Sequence, residues 1–271
     1  MNQNLETIKN IISGGGNIVV LSGAEVMRET GLNGVHAEHI AYEIEQEYGY
    51  SNDEIVSSLF YSRRADLFYK YYKDIILNKE DVEPSPVHKG IARLQRCGKL
   101  DAVITRMVYC LHQKAGCDKV IELHGSVEGN RCPSCGKIFD SKYIKHSVGI
   151  PKCDVCDVVL RPGFSLMGEM IDNGKISQAS SAVEHARILL IIGAAINSSL
   201  CRYMVKYYQG DKMILLNTKE TPGDEIANYR AYGNLSEMFS QIMSFKFLHR
   251  ESLFGTTYYS LYQRGNLLLC R

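Results

Sequence analysis

Apolar residues at Leu5, Ile8, Ile11 and Ile12 recur at helical spacing, so the chain opens on a short amphipathic helix. Gly14-Gly15-Gly16 breaks it, and the pattern then changes period. Residues 17–21 (NIVVL) form a compact apolar run rich in β-branched side chains, which predicts a strand buried on both faces. Three more such runs follow, at 102–105 (AVIT), 188–192 (ILLII) and 213–216 (MILL). Helical patterns separate them, notably at 88–95 and 175–186. Strands alternating with helices predict an α/β fold with a Rossmann-like, doubly wound parallel sheet. Ser22-Gly23-Ala24 follows the first strand, and strand, glycine turn and helix in that order open a dinucleotide-binding unit.

Segment 31–78 has helical patches, many Tyr and Glu, and no strong strand. It reads as helices and a long loop over the carboxyl edge of the sheet, where ligands of open α/β sheets bind. Tyr69, Tyr71 and Tyr72 read as a packed helical face.

Composition narrows the function. The 271 residues carry 31 Lys and Arg against 30 Asp and Glu, a balance without the basic excess of a nucleic-acid binder. The apolar runs fall far short of the roughly 20 residues that span a bilayer. The first residues, MNQNLETIKN, lack a cationic region followed by an apolar core, so a reducing cytoplasm is expected. Nine cysteines there read as thiols or metal ligands rather than disulfides.

Cys132-Pro-Ser-Cys135 and Cys153-Asp-Val-Cys156 are two C-x-x-C knuckles with 17 residues between them. Two knuckles converge four thiolates on one tetrahedral metal, so one structural zinc ion is expected, carried on an insertion between the second and third apolar strands. The remaining cysteines, Cys97, Cys110, Cys117, Cys201 and Cys270, read as buried or free thiols.

The order of a glycine turn after the first strand, LHQKAG, IELHGS, paired knuckles, LRPGFSLMGE, IIGAAIN and LLNTKETPGD resembles the sirtuins. These are NAD-dependent protein-lysine deacylases, with a few ADP-ribosyltransferases. YGYSNDEIVSSLF resembles bacterial members, and the resemblance runs from Leu5 to Met243. It implies transfer of an acyl group from lysine to ADP-ribose with release of nicotinamide. The matching general base is His124, in Glu122-Leu123-His124-Gly125. It also implies that Phe164 faces the acyl-lysine, that Gly168 and Glu169 border the peptide cleft, and that Gly23, Ala24, Gly193 and Asn217 contact NAD. The implied partner is an acylated-lysine protein or peptide.

Departures from the family pattern fall at the same cofactor positions. Glu25 stands where a glycine lets the backbone approach the diphosphate, and its carboxylate has the wrong sign beside phosphate. His36 stands for an arginine and Val35 for an aromatic residue. The family's TQNIDGLH reads Thr105-Arg106-Met107-Val108-Tyr109-Cys110-Leu111-His112, so Met107 and Tyr109 replace the two residues that hold the carboxamide. Leaving a buried polar group without its partner costs about 1–3 kcal/mol. Ala194 and Ala195 remove two hydroxyls from the adenosine side.

The domain organisation read from this order is a large discontinuous unit at 1–34, 79–126 and 163–243, a helical insertion at 35–78, a zinc module at 127–162 and an extension at 244–271 without a recognised match. Two functions follow. One is a sirtuin-type NAD-dependent deacylase with weak or lost turnover. The other is an inactive pseudoenzyme whose cleft holds a peptide, a partner or an ADP-ribose-like ligand.

Overall fold

The computed structural model of the chain describes residues 3–32, 38–79 and 81–244. Eight strands occur among them: β1 Ile18–Ser22, β2 Leu100–Thr105, β3 Val120–Glu122, β4 Asn130–Arg131, β5 Ile138–Phe139, β6 Ile188–Ile192, β7 Met213–Asn217 and β8 Tyr229–Tyr232. Six make one sheet in the order β3-β2-β1-β6-β7-β8, and every pairing in it is parallel. The chain builds outward from β1 to β3, returns to the centre at β6, and builds outward again. The order therefore reverses between β1 and β6, which is the switch point where open α/β sheets hold ligands.

The central strands are buried along their whole length, as their unbroken apolar runs require. Side chains alternate between two cores. Ile18 and Val20 face one with Ile91, Phe239 and Ile242, while Val19 and Leu21 face the other with Val183, Leu200 and Met204. Helices Gln3–Gly14, Pro86–Arg96 and Leu235–Ile242 cover the first face, and Asn173–Glu184 and Ser199–Met204 the second. Pro86 starts its helix where a missing N–H is harmless, behind Ser85 and His88 in a capping box.

A third core lies outside the sheet. It joins the tyrosine-rich helices of residues 38–79 to the hairpin β4–β5 and the chain around the four cysteines. Tyr69, Tyr71 and Tyr72 are fully buried there. Their hydroxyls are satisfied, as buried phenols require. Tyr72 donates to Asn130 Oδ1 at 3.0 Å, Tyr71 to Asn52, and Tyr69 to the Leu160 carbonyl. Lys73 Nζ donates to the carbonyls of Ser147 and Gly149 at 2.6 and 2.7 Å, tying the same two segments. Among the described residues no helix is long and apolar enough to cross a membrane.

Besides the two-residue strands of the β4–β5 hairpin, two strands of the main sheet go beyond the sequence expectation. β3 and β8 are short edge strands with one buried residue each, Ile121 and Ala231, so neither leaves an apolar run to read.

Candidate active site

The carboxyl ends of the parallel strands deliver the site. Gly23 follows β1, Arg106 follows β2, His124 lies just past β3, Gly193 follows β6, and Asn217 ends β7. Together with Ala24, Glu25, Met107, Ala194 and Ala195 they line a cleft of about 370 Å3. Gly193 sits at φ +64, and a β-carbon on it would meet the Val26 nitrogen at 2.8 Å. The Glu25 N–H donates to the Gly193 carbonyl at 3.0 Å, locking the first turn onto the end of β6. Asn217 is buried, and its Oδ1 accepts the Thr218 N–H at 2.9 Å. Arg28, Arg106 and Lys219 give this cleft three cations.

Glu25 lines the cleft with its charge partnered. Its carboxylate is ion-paired with Arg28, three residues on along the same short helix. The pair offsets the negative charge that the sequence alone placed against a diphosphate.

His124 lines this cleft and also a second one of about 370 Å3, with Phe164, Glu169, Arg131, Arg161 and Lys175 around it. Phe164 stands edge-on to Tyr72, with ring centroids 5.3 Å apart. Glu169 is ion-paired with Arg161 and accepts the Leu166 N–H at 2.8 Å, which fixes the rim. Gly168 lies beside the rim at φ +88, outside the lining itself.

Burial pushes the His124 imidazole down to about 4, and the positive charges of Arg106 and Lys175 act in the same direction. The ring is neutral at pH 7. Arg106 Nε donates to His124 Nε2 at 2.7 Å. A guanidinium only donates, so Nε2 is the acceptor and the ring proton is on Nδ1. That Nδ1 is buried and has no hydrogen-bond partner among the described residues. Arg106 also donates through Nη1 to Ser199 Oγ, so it reaches from the end of β2 to the helix beyond β6. Arg106 is the site residue that no motif in the sequence singles out. Its signals are its place in the substituted TQNIDGLH segment and a charge directly after a buried parallel strand, at the edge where such sheets bind ligands.

Behind Met107 lies a cavity of about 10 Å3, lined also by Ser22, Thr105, Cys110, His88 and His112. That is room for one water and far less than an aromatic ring. His112 Nε2 is 2.9 Å from Ser22 Oγ, and the His88 and His112 rings lie tilted to each other with centroids 4.7 Å apart. Burial pushes His88 down to about 4 and His112 to about 3. Tyr109 does not line this cavity. Its ring is buried in the third core, and it does not line the cofactor cleft either.

The four knuckle sulfurs, of Cys132, Cys135, Cys153 and Cys156, all lie within 4.8 Å of one another. Those of Cys135 and Cys153 are 3.7 Å apart, against about 3.8 Å for two thiolates on one tetrahedral zinc. The cluster fits a structural zinc ion, closed to substrate by its four sulfur donors. His36 and Val35 lie outside the described residues, as does Cys270.

A family model described as the Sir2 family matches residues 16–199. An NAD-dependent protein deacetylase from Clostridium tetani is 33% identical over 223 residues, 82% of this chain and 90% of the relative. NAD-dependent protein deacylase 1 from Archaeoglobus fulgidus is 28% identical over 83% of this chain and 91% of its own. A solved Sir2 homologue in complex with NAD superimposes with a TM-score of 0.75 at 27% identity, covering 88% of this chain and 92% of its own. Sir2Tm bound to a propionylated peptide gives 0.72 at 26% identity, covering 90% and 98%.

Proposed function

The chain belongs to the Sir2 family, and on that premise we propose that it is an NAD-dependent protein-lysine deacylase whose nicotinamide subsite has been rebuilt. The observation that carries this reading is the position of His124 in the wall common to two clefts. One cleft suits the ADP-ribose part of NAD, with Gly23 and Ala24 at the first turn, Gly193 and Asn217 at the ends of β6 and β7, and Arg106 and Lys219 as cations for a diphosphate beside the Glu25–Arg28 pair. The other suits an acyl-lysine peptide, with Phe164 against the acyl chain, Glu169 at the rim and Gly168 beside it. NAD, when bound, supplies the electrophilic ribose carbon and the departing nicotinamide. His124, neutral at pH 7, takes a proton from a ribose hydroxyl through Nε2. The four-cysteine zinc holds the third core, and through Phe164 and Tyr72 that core positions the peptide side. A reducing cytoplasm suits the free thiols and the thiolate site.

The rebuilt part is the pocket behind Met107. Met107 offers no donor to a carboxamide, and the cavity of about 10 Å3 must open before a nicotinamide ring enters. NAD therefore binds less tightly than ADP-ribose. The same cavity and the cover that Arg106 places on His124 Nε2 favour a second reading, a cleft that holds an ADP-ribose-like ligand without turnover. Calorimetry on the zinc-loaded protein separates them. Micromolar NAD binding supports the deacylase, and ADP-ribose binding without any NAD binding supports the second reading.

A further inference from the structure

His124 Nε2 is the atom a base would use, and in the structure it is already accepting a hydrogen bond from a permanent cation, 2.7 Å away. The other ring nitrogen is no substitute, because Nδ1 is buried and carries the proton. Arg106 can leave. Its two partners among the described residues are a neutral imidazole and a neutral hydroxyl, on Ser199, and both are weaker acceptors than a phosphate oxygen. Its guanidinium lines the cleft that Arg28 and Lys219 also line, and Arg28 is engaged by Glu25. An anion entering this cleft meets Lys219 and Arg106, and for Arg106 it is a stronger acceptor than either partner the guanidinium now holds.

We propose that Arg106 is a positioning residue that uncovers the base on demand: a diphosphate in the cleft draws the guanidinium off His124 and frees the Nε2 lone pair. The inference rests on His124 as the base of the proposed deacylation. It makes proton abstraction conditional on an occupied diphosphate site, so that the base is available only when the sugar it acts on is in place.

Three kinds of neighbour bear on the His124 charge. Arg106 comes from the end of β2 and Lys175 from the helix Asn173–Glu184, where its Nζ donates to the Glu122 carbonyl at 2.8 Å. Across the peptide cleft stand Arg131, Arg161, Glu169 and Asp172. Of these only Arg106 touches the ring and also lines the cofactor cleft.

The test is the protonation of His124 in the full-length, zinc-loaded protein with 13C,15N-labelled histidine, read by NMR with and without ADP-ribose. The His124→Asn variant identifies the resonance. ADP-ribose allows no turnover, so the readout is independent of activity. In the wild type, saturating ADP-ribose removes the hydrogen-bond signature at Nε2 and raises the proton affinity of the ring roughly tenfold, toward the ordinary histidine value. In Arg106→Gln the ring starts at the higher affinity, responds little to ADP-ribose, and binds ADP-ribose at least about tenfold more weakly. Lys175→Met raises the starting affinity but leaves the response to ADP-ribose intact. Two results overturn the proposal: an Nε2 signal unchanged by saturating ADP-ribose, or no ADP-ribose binding at millimolar concentration. Failure of the deacylase reading looks different, because His124 then responds to ADP-ribose while acyl-lysine peptides stay intact.

Discussion

Gly23 and Gly193 approach so closely that a β-carbon on Gly23 would overlap the Gly193 carbonyl oxygen. The approach is backbone against backbone at the switch point of the sheet, where neither side can yield. The prediction is that Gly23→Ala lowers stability by about 1–3 kcal/mol, as overpacking of a closed site does. It also weakens ADP-ribose binding, because the first turn shifts. Thermal melts with and without ADP-ribose check both effects.

Removing zinc reaches beyond the knuckles. Cys132 and Cys153 belong to the same buried cluster as Tyr69, Tyr71 and Tyr72, so the metal site and the tyrosine helices share one core. Chelation, or Cys153→Ser, is expected to open both 127–162 and 38–79 to limited proteolysis while the β1–β6 core stays protected. Cleavage confined to the knuckles would show that the two segments are independent.

Met107 and Tyr109 separate in their effects. Met107 lines the small cavity behind the cleft, so Met107→Asn adds donor and acceptor groups there and tightens NAD relative to ADP-ribose by about 1 kcal/mol. Tyr109 is buried in the third core, so Tyr109→Asp places a carboxylate among apolar side chains and lowers the melting temperature without helping NAD. Titration calorimetry and thermal melts on the two single variants check this division.

Stability falls on acidification through two buried histidines. His88 and His112 titrate near 4 and near 3 in the folded chain, below the ordinary value of about 6.5. Below pH 6.5 the unfolded chain takes up protons that the folded chain refuses. The stability contributed by these neutral rings is therefore complete above pH 6.5 and is lost as the pH falls toward 4. The slope is up to about 1.4 kcal/mol per pH unit for each histidine. His112→Asn flattens the curve in that window, and denaturant titrations from pH 7 to pH 4.5 measure it.

The sequence is most legible where one physical demand fixes the residue type. Strands β1, β6 and β7 are buried on both faces, and their unbroken apolar runs say so. Four thiolates for one tetrahedral ion leave an equally plain trace in Cys132, Cys135, Cys153 and Cys156. Direction of a side chain leaves none. Tyr109 stands two residues from Met107, yet one ring turns into a core and the other side chain lines a cavity. Pairing within one turn is also invisible until the backbone is known, as with Glu25 and Arg28. Arg106 combines both difficulties, since its partners His124 and Ser199 lie 18 and 93 residues away along the chain.

The most direct test is to incubate the zinc-loaded protein with an acetyl-lysine peptide and NAD, and to follow free lysine peptide and nicotinamide by mass spectrometry, with His124→Ala in parallel. The account predicts that both products form together, that they require NAD at concentrations well above those at which ADP-ribose binds, and that His124→Ala abolishes them. Full ADP-ribose binding with no product at any NAD concentration would contradict the deacylase and leave the cleft as a binding site alone.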